Sequence, residues 1–263
     1  MKGLRAPALY GLITVLAGIT AESPQWLFLS MGLSLFIPAL FVIALRESLL
    51  GALISSAVAL GVLAIYSTRA PLEVIPFQVI GALFSRWYRR PEISVLSAAA
   101  ILFAAAVVEE FLFGLPPEVK SSLFGSYRWG VYFFTALLFG EATYGVALLF
   151  TGRGELFLRL KFGFWPVPLF LVCGALSLLP GFPYREVAVN GLIIALSLFT
   201  GQGIAVILHL IRRLSPLARL IILIAVVIFP LGFLAAALIL GFLDNWLDFR
   251  KLNGGGENGS NPA

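Results

Sequence analysis

Apolar residues recur along this chain in long unbroken runs, separated by short clusters of charge, proline and glycine. Nine such segments stand out, at about 6–20, 25–45, 48–66, 71–85, 93–114, 130–151, 164–180, 187–211 and 216–243. Most approach the roughly 20 residues needed to cross a bilayer core of about 30 Å. The apolar positions are continuous and do not alternate, which predicts membrane-spanning α-helices and excludes a transmembrane barrel. The segments 6–20 and 71–85 are short, and the second carries Pro71 and Pro76, so the pattern predicts an all-α transmembrane bundle of eight or nine helices.

Composition agrees. Of 263 residues, 60% are apolar and 12% charged, with a mean hydropathy of +1.01. Soluble domains carry about twice that share of charge. The net charge of +5 would point to nucleic acid in a soluble protein. Here the cations sit in short connections, and the positive-inside rule accounts for them. With a cytoplasmic N-terminus, Lys2, Arg5, Arg46, Arg86, Arg89, Arg90, Arg153, Arg159, Lys161, Arg212, Arg213 and Arg219 fall inside. Arg69, Lys120, Arg128, Arg185, Arg250 and Lys251 fall outside, giving 12 against 6. The expected location is the bacterial cytoplasmic membrane, with lipid as the surrounding partner. Lys2 and Arg5 before the first apolar run resemble a signal peptide, but "GITAES" is a poor cleavage site, so this run is read as an uncleaved helix. The expected organisation is one transmembrane domain over 1–252 and a disordered Gly/Asn-rich tail over 253–263. The connection 115–129, with Pro116 and Pro117, is expected along the outer surface.

One cysteine, Cys173, rules out a disulfide within the chain, and with His209 alone beside it no metal site is expected. No phosphate-binding loop, dinucleotide fingerprint or nucleophile motif is present, so no cofactor and no enzyme activity are expected. Energy from ATP would have to come through a partner module. Chemistry has to be sought in polar residues inside the apolar runs. "VVEEFLFGLPPE", residues 107–118, pairs Glu109 with Glu110 in a pattern close to that of glutamic intramembrane proteases. Gly114 stands where those enzymes carry arginine, and a single histidine cannot supply their histidine motifs. The pair lies 17 residues, about 26 Å, from Glu92, near the outer interface, where Glu110 is a candidate at the mouth of a site.

Glu141, in "LLFGEATYGVALL", is the costlier acid. It lies 12 residues from both Trp129 and Arg153, near the bilayer centre, where an acid is functional by default. No Lys or Arg occupies that depth, so Glu141 is expected to be protonated, to face a polar cavity or cation, or to hydrogen-bond a neighbouring helix. "LFTGQGIAV", residues 198–206, sets Gln202 between two glycines at mid-span, a layout shared by transporter binding sites and by close helix packing. Gln78, beside Pro76, has the same two readings. Gly51 with Ser55, and Ala57 with Gly61, have the spacing of helix-packing contacts. Trp26, Trp87, Trp129 and Trp246 sit near segment ends, as an aromatic belt requires.

Two segments carry a resemblance. "LFTGQGIAVILHLIRR", residues 198–213, and "LGFLDNWLDFRKL", residues 240–252, resemble the Gln-Gly-aliphatic and closing acidic signatures of the YybS-like family of bacterial inner-membrane proteins. On that pattern the matching positions are Gln202, Gly203, Asp244, Asp248 and Arg250. In layout, "IPALFVIALRESLLGALISSAVAL" followed by "FSRWYRR" is similar to the substrate-binding S-components of energy-coupling-factor vitamin transporters, an architecture the rod-shape protein MreD shares. The leading expectation is a protein that binds or transports a small molecule, with Glu141, Gln202 and Gln78 lining a mid-membrane site, Glu110 at its mouth, and an ATPase or membrane partner. The competing class is a non-catalytic scaffold for envelope assembly, in which the same residues only join helices.

Overall fold

The computed structural model of the chain describes residues 5–87, 89–115 and 123–250. Among these, the regular structure is helical throughout. The helices are α1 (Arg5–Ala21), α2 (Leu27–Glu47), α3 (Leu49–Tyr66), α4 (Ala70–Trp87) and α5 (Pro91–Phe113). They continue with α6 (Leu123–Phe150), α7 (Pro166–Leu178), α8 (Arg185–Ile211), α9 (Pro216–Ile228) and α10 (Pro230–Leu247). The tail 253–263 and Pro116, Pro117 and Lys120 lie outside the described residues.

Local chemistry explains most boundaries. Ser48 caps α3 by accepting a hydrogen bond from Gly51 N, and Ser215 caps α9 from Ala218 N. Prolines open α5, α7, α9 and α10, where the missing N–H has no intrahelical partner to lose. The ninth apolar segment departs from expectation, since 216–243 is two helices and not one span. Pro230 disfavours helical backbone at Phe229, which sits at φ −125°, ψ 61°, and α10 restarts there. In contrast, Pro76 leaves α4 one continuous helix of 18 residues, and the expected connection over 115–129 is shortened because α6 already begins at Leu123.

Among the described residues, six helices are long and apolar enough to cross a membrane: α2, α3, α5, α6, α8 and α10. Their outward side chains agree, with Phe28 88%, Ile65 89% and Phe111 87% exposed, a surface that lipid accepts and water does not. The chain therefore fits a multi-pass helical membrane protein.

The chain forms two compact units: Met1–Gly125 with Thr135–Phe157, and Ser126–Phe134 with Leu158–Ala263. In the first, α1 packs on α2, α3 and α4, and α4 packs on α5. Its core gathers Tyr10, Ile37, Phe41, Leu63, Val74 and Phe77, with the Tyr10 and Phe41 rings 5.1 Å apart. Glu47 accepts a hydrogen bond from Ala6 N, which ties the start of α1 to the end of α2. Of the small residues of α3, Gly51 packs closely beside Pro7, whereas a Cβ at Gly61 would meet nothing within 4 Å. The packing expected at Gly61 is therefore not made among the described residues.

In the second unit α8 packs on α7 and, most extensively, on α10. Contact there is backbone to backbone: a Cβ on Gly203 would overlap the Ala237 carbonyl, and one on Gly241 would overlap the Phe199 carbonyl. Phe199, Phe170, Phe242 and Trp246 stack around this crossing, with Phe199 and Phe242 at 5.2 Å and Phe242 and Trp246 at 4.7 Å. Asn190 on α8 accepts from Gly130 N at 2.6 Å and donates to Ser126 O at 3.1 Å, gripping the first turns of α6 through its backbone.

Candidate functional site

Glu141 belongs to the first unit. It lies nine residues, about 14 Å, from the Phe150 end of α6 and is 2% exposed. One residue before it, Gly140 lets α6 lie against α5: a Cβ there would meet Val95 O and Ala99 N at 3.2 Å and Ala98 Cβ at 3.3 Å. One turn after it, the fully buried Tyr144 ring stands 5.3 Å from Phe84 and 6.3 Å from Phe157. Neither carboxyl oxygen of Glu141 has a hydrogen-bond partner among the described residues. Such a group is costly to keep, and a buried polar atom left unpaired in a native fold asks for a functional account.

Gln78 lies in the same unit, in a different polar row. Tyr10 Oη donates to Ser56 Oγ at 3.4 Å, and Ser56 Oγ donates to Gln78 Oε1 at 3.0 Å. The row joins α1, α3 and α4. Gln78 Nε2, buried at its end, has no hydrogen-bond partner among the described residues. Sequence reasoning did not reach Tyr10 or Ser56, because nothing in their spacing marks them. Tyr10 meets Ser56 across 46 residues of chain, and Ser56 meets Gln78 across 22.

Gln202 belongs to the second unit, and its hydrogen-bonding capacity is taken up by protein. Its Oε1 accepts from Phe162 N at 3.3 Å, while its Nε2 donates to Asp244 Oδ2 at 3.0 Å and Gly241 O at 3.4 Å. Asp244 Oδ2 also accepts from Arg250 Nη2 at 2.6 Å, with both side chains fully buried, and Asp244 Oδ1 accepts from Phe249 N. Arg250 Nη1 completes the set on the Leu158 and Leu160 carbonyls, at 2.9 and 2.7 Å. The local cause is the end of α10. Asp248 adopts the left-handed conformation (φ 40°, ψ 56°) that aspartate tolerates, and this turns Arg250 back onto Asp244. Lys161 reaches Asp248 at 3.6 Å. The five positions carrying the family resemblance thus meet in one cluster: four side chains in or beside the network, and Gly203 at the crossing.

Of the paired glutamates, Glu109 has ordinary ion-pair surroundings. Glu109 pairs with Arg69, which also reaches Glu73 at 3.4 Å and lies over the Phe113 ring. Burial, the largest single influence on Arg69, works against its charge, but Glu109, Glu73 and Glu22 together outweigh it and raise its pKa. Glu110 follows on the last turn of α5, which ends at Gly114 with φ 75°. His209 lies 3.0 Å from Arg213 at the end of α8. Among the described residues no group of three His, Cys, Asp or Glu side chains is placed to hold a metal.

The chain matches no protein-family profile, no curated protein and no solved structure.

Proposed function

We propose that this chain is a multi-pass protein of the bacterial cytoplasmic membrane that binds or transports a small molecule in the manner of an S-component, with Glu141 as the central group of its site. The observation that carries the reading is the Glu141 carboxyl, 2% exposed and with no partner for either oxygen. A protein that only joined helices would have little use for an acid that joins nothing. Gln78 Nε2, also buried and unpartnered, is the second group offered to a ligand. Membership of the YybS-like family is part of the proposal. Its support is that residues 198–213 and 240–252, the two segments carrying the resemblance, meet at Gln202, Asp244 and Arg250.

A scaffold for envelope assembly is the second reading, and one observation favours it: the Gln202 amide is spent on Phe162, Gly241 and Asp244. Native mass spectrometry of the purified protein separates the two. A transporter is expected to carry a small molecule or an ATPase subunit, with the small molecule lost in Glu141→Ala. A ligand-free, partner-free wild-type protein whose deletion alters cell shape would sink the transport reading.

The side of the C-terminal segment is also proposed. Arg250 is bonded to Leu158 and Leu160, beside Arg159 and Lys161, so residues near 250 belong on the same side of the membrane as that cationic connection. Moving Arg250 and Lys251 to the inner set makes the count fourteen against four. With Cys173 replaced by alanine, Arg153→Cys and Asn253→Cys are expected to react with an impermeant maleimide from the cytoplasmic side only. Labelling from opposite sides would overturn the assignment.

A further inference from the structure

Glu141 has a restricted choice of occupant. A metal site built of His, Cys, Asp or Glu side chains is not assembled around it, since no group of three among the described residues is placed to hold one. An organic cation would need room beside aromatic faces. The nearest rings do not offer it, since Tyr144 is packed on Phe84 at 5.3 Å and on Phe157 at 6.3 Å. On the α5 side, a Cβ at the neighbouring Gly140 would already touch Val95, Ala98 and Ala99 at 3.2–3.3 Å. A proton needs neither volume nor a coordination shell.

Charges around the group agree. The titratable side chains on the packed helices are Tyr127, Arg128, Tyr132 and Tyr144 on α6, Glu92 at the first turn of α5 with Glu109 and Glu110 in its last turns, Glu73 and Arg86 near the two ends of α4, and Arg46 and Glu47 at the end of α2. None of these groups is hydrogen-bonded to Glu141 among the described residues. An ionised Glu141 would have no donor and no counter-charge, a state that a low-dielectric interior penalises heavily.

We infer that Glu141 is a proton-binding site: its carboxyl is neutral while α5 and α6 are closed at Gly140, and releases its proton to water when that contact parts. The inference rests on Glu141 being the functional group of the first unit and names the proton as its ligand. In the release step the carboxyl O–H bond breaks, the electron pair stays on oxygen, and water takes the proton. Loss of the charge penalty on protonation then recloses the contact, so proton occupancy and helix separation are linked.

The test is infrared spectroscopy of the full chain in lipid, titrated from neutral to alkaline pH, alongside hydrogen exchange of residues 135–148. A neutral-carboxyl carbonyl band is expected at neutral pH and is absent from Glu141→Gln. The band should fade reversibly on alkalinisation while exchange in 135–148, corrected for its intrinsic pH dependence, rises at least several-fold. Glu141→Gln, a permanent mimic of the neutral acid, should show no such rise. A wild-type spectrum lacking the band at neutral pH would overturn the inference. So would a band that persists unchanged up to unfolding, which marks a structural acid that never titrates. Should Glu141→Gln fail to fold, a hydrophobic carbodiimide, which modifies neutral buried carboxyls, replaces it. Modification mapped to Glu141 and declining at alkaline pH supports the site, and no modification at any pH refutes it. None of these readouts needs a small molecule, so a ligand-free mass spectrum removes the transport reading without touching the proton site.

Discussion

Asp244→Ala is expected to destabilise the second unit by about 3–5 kcal/mol, the penalty for leaving one partner of a buried ion pair uncompensated. Three side-chain or backbone donors converge on that carboxylate: Gln202 Nε2, Arg250 Nη2 and Phe249 N. Truncation takes that acceptor from Arg250 Nη2 and Phe249 N and leaves Gln202 Nε2 only Gly241 O, and the buried Arg250 guanidinium carries a full charge there. In detergent the midpoint of thermal unfolding should fall by on the order of 10 °C. Asp244→Leu combined with Arg250→Met should recover most of the loss, because removing both charges together removes the uncompensated one. The Leu158 and Leu160 carbonyls then lose their donor, so recovery stays incomplete. A single variant as stable as wild type would show that the network contributes nothing to the fold.

Gly203→Ala and Gly241→Ala should each cost about 1–3 kcal/mol or more, against the gain of up to about 1 kcal/mol that alanine brings to a helix interior. The overlap decides the sign. A methyl at 203 runs into the Ala237 carbonyl, and one at 241 runs into the Phe199 carbonyl and lies 2.7 Å from Gly203 N. Backbone cannot rotate aside as a side chain can, so α8 and α10 must separate. That separation loosens the Phe199–Phe242 stack and the Gln202–Asp244 bond together. Gly61→Ala is the internal control. It meets nothing within 4 Å and should leave the melting temperature unchanged or slightly raised. If all three variants melted alike, the close crossing of α8 and α10 would be disproved.

The apolar runs predicted seven of the ten described helices with boundaries within a few residues, and α6 except for its first two turns, because burial in lipid depends on local composition and little else. The last segment was misread for a reason equally local, since Phe229 before Pro230 breaks a run whose hydropathy never falters. Glu141 was legible as well: an acid with no cation at its depth is expensive wherever its helix is placed. The fate of the glutamines was not. Gln78 and Gln202 read alike in the sequence, each an amide in an apolar run beside a proline or glycine. One ends a hydroxyl row with a free N–H, and the other is fully engaged.

By itself, then, the sequence determined the class of solvent this chain lives in, most of its helices, and the acid that has no counter-charge. Each of these follows from single-residue transfer energies summed along a helix. Only the tertiary structure decided which polar groups are satisfied. The partners of Gln202 lie 39 to 42 residues away, and those of Arg250 lie as far as 92. Hydrogen bonding is short-ranged in space and indifferent to distance along the chain, so no period or spacing could have announced that network.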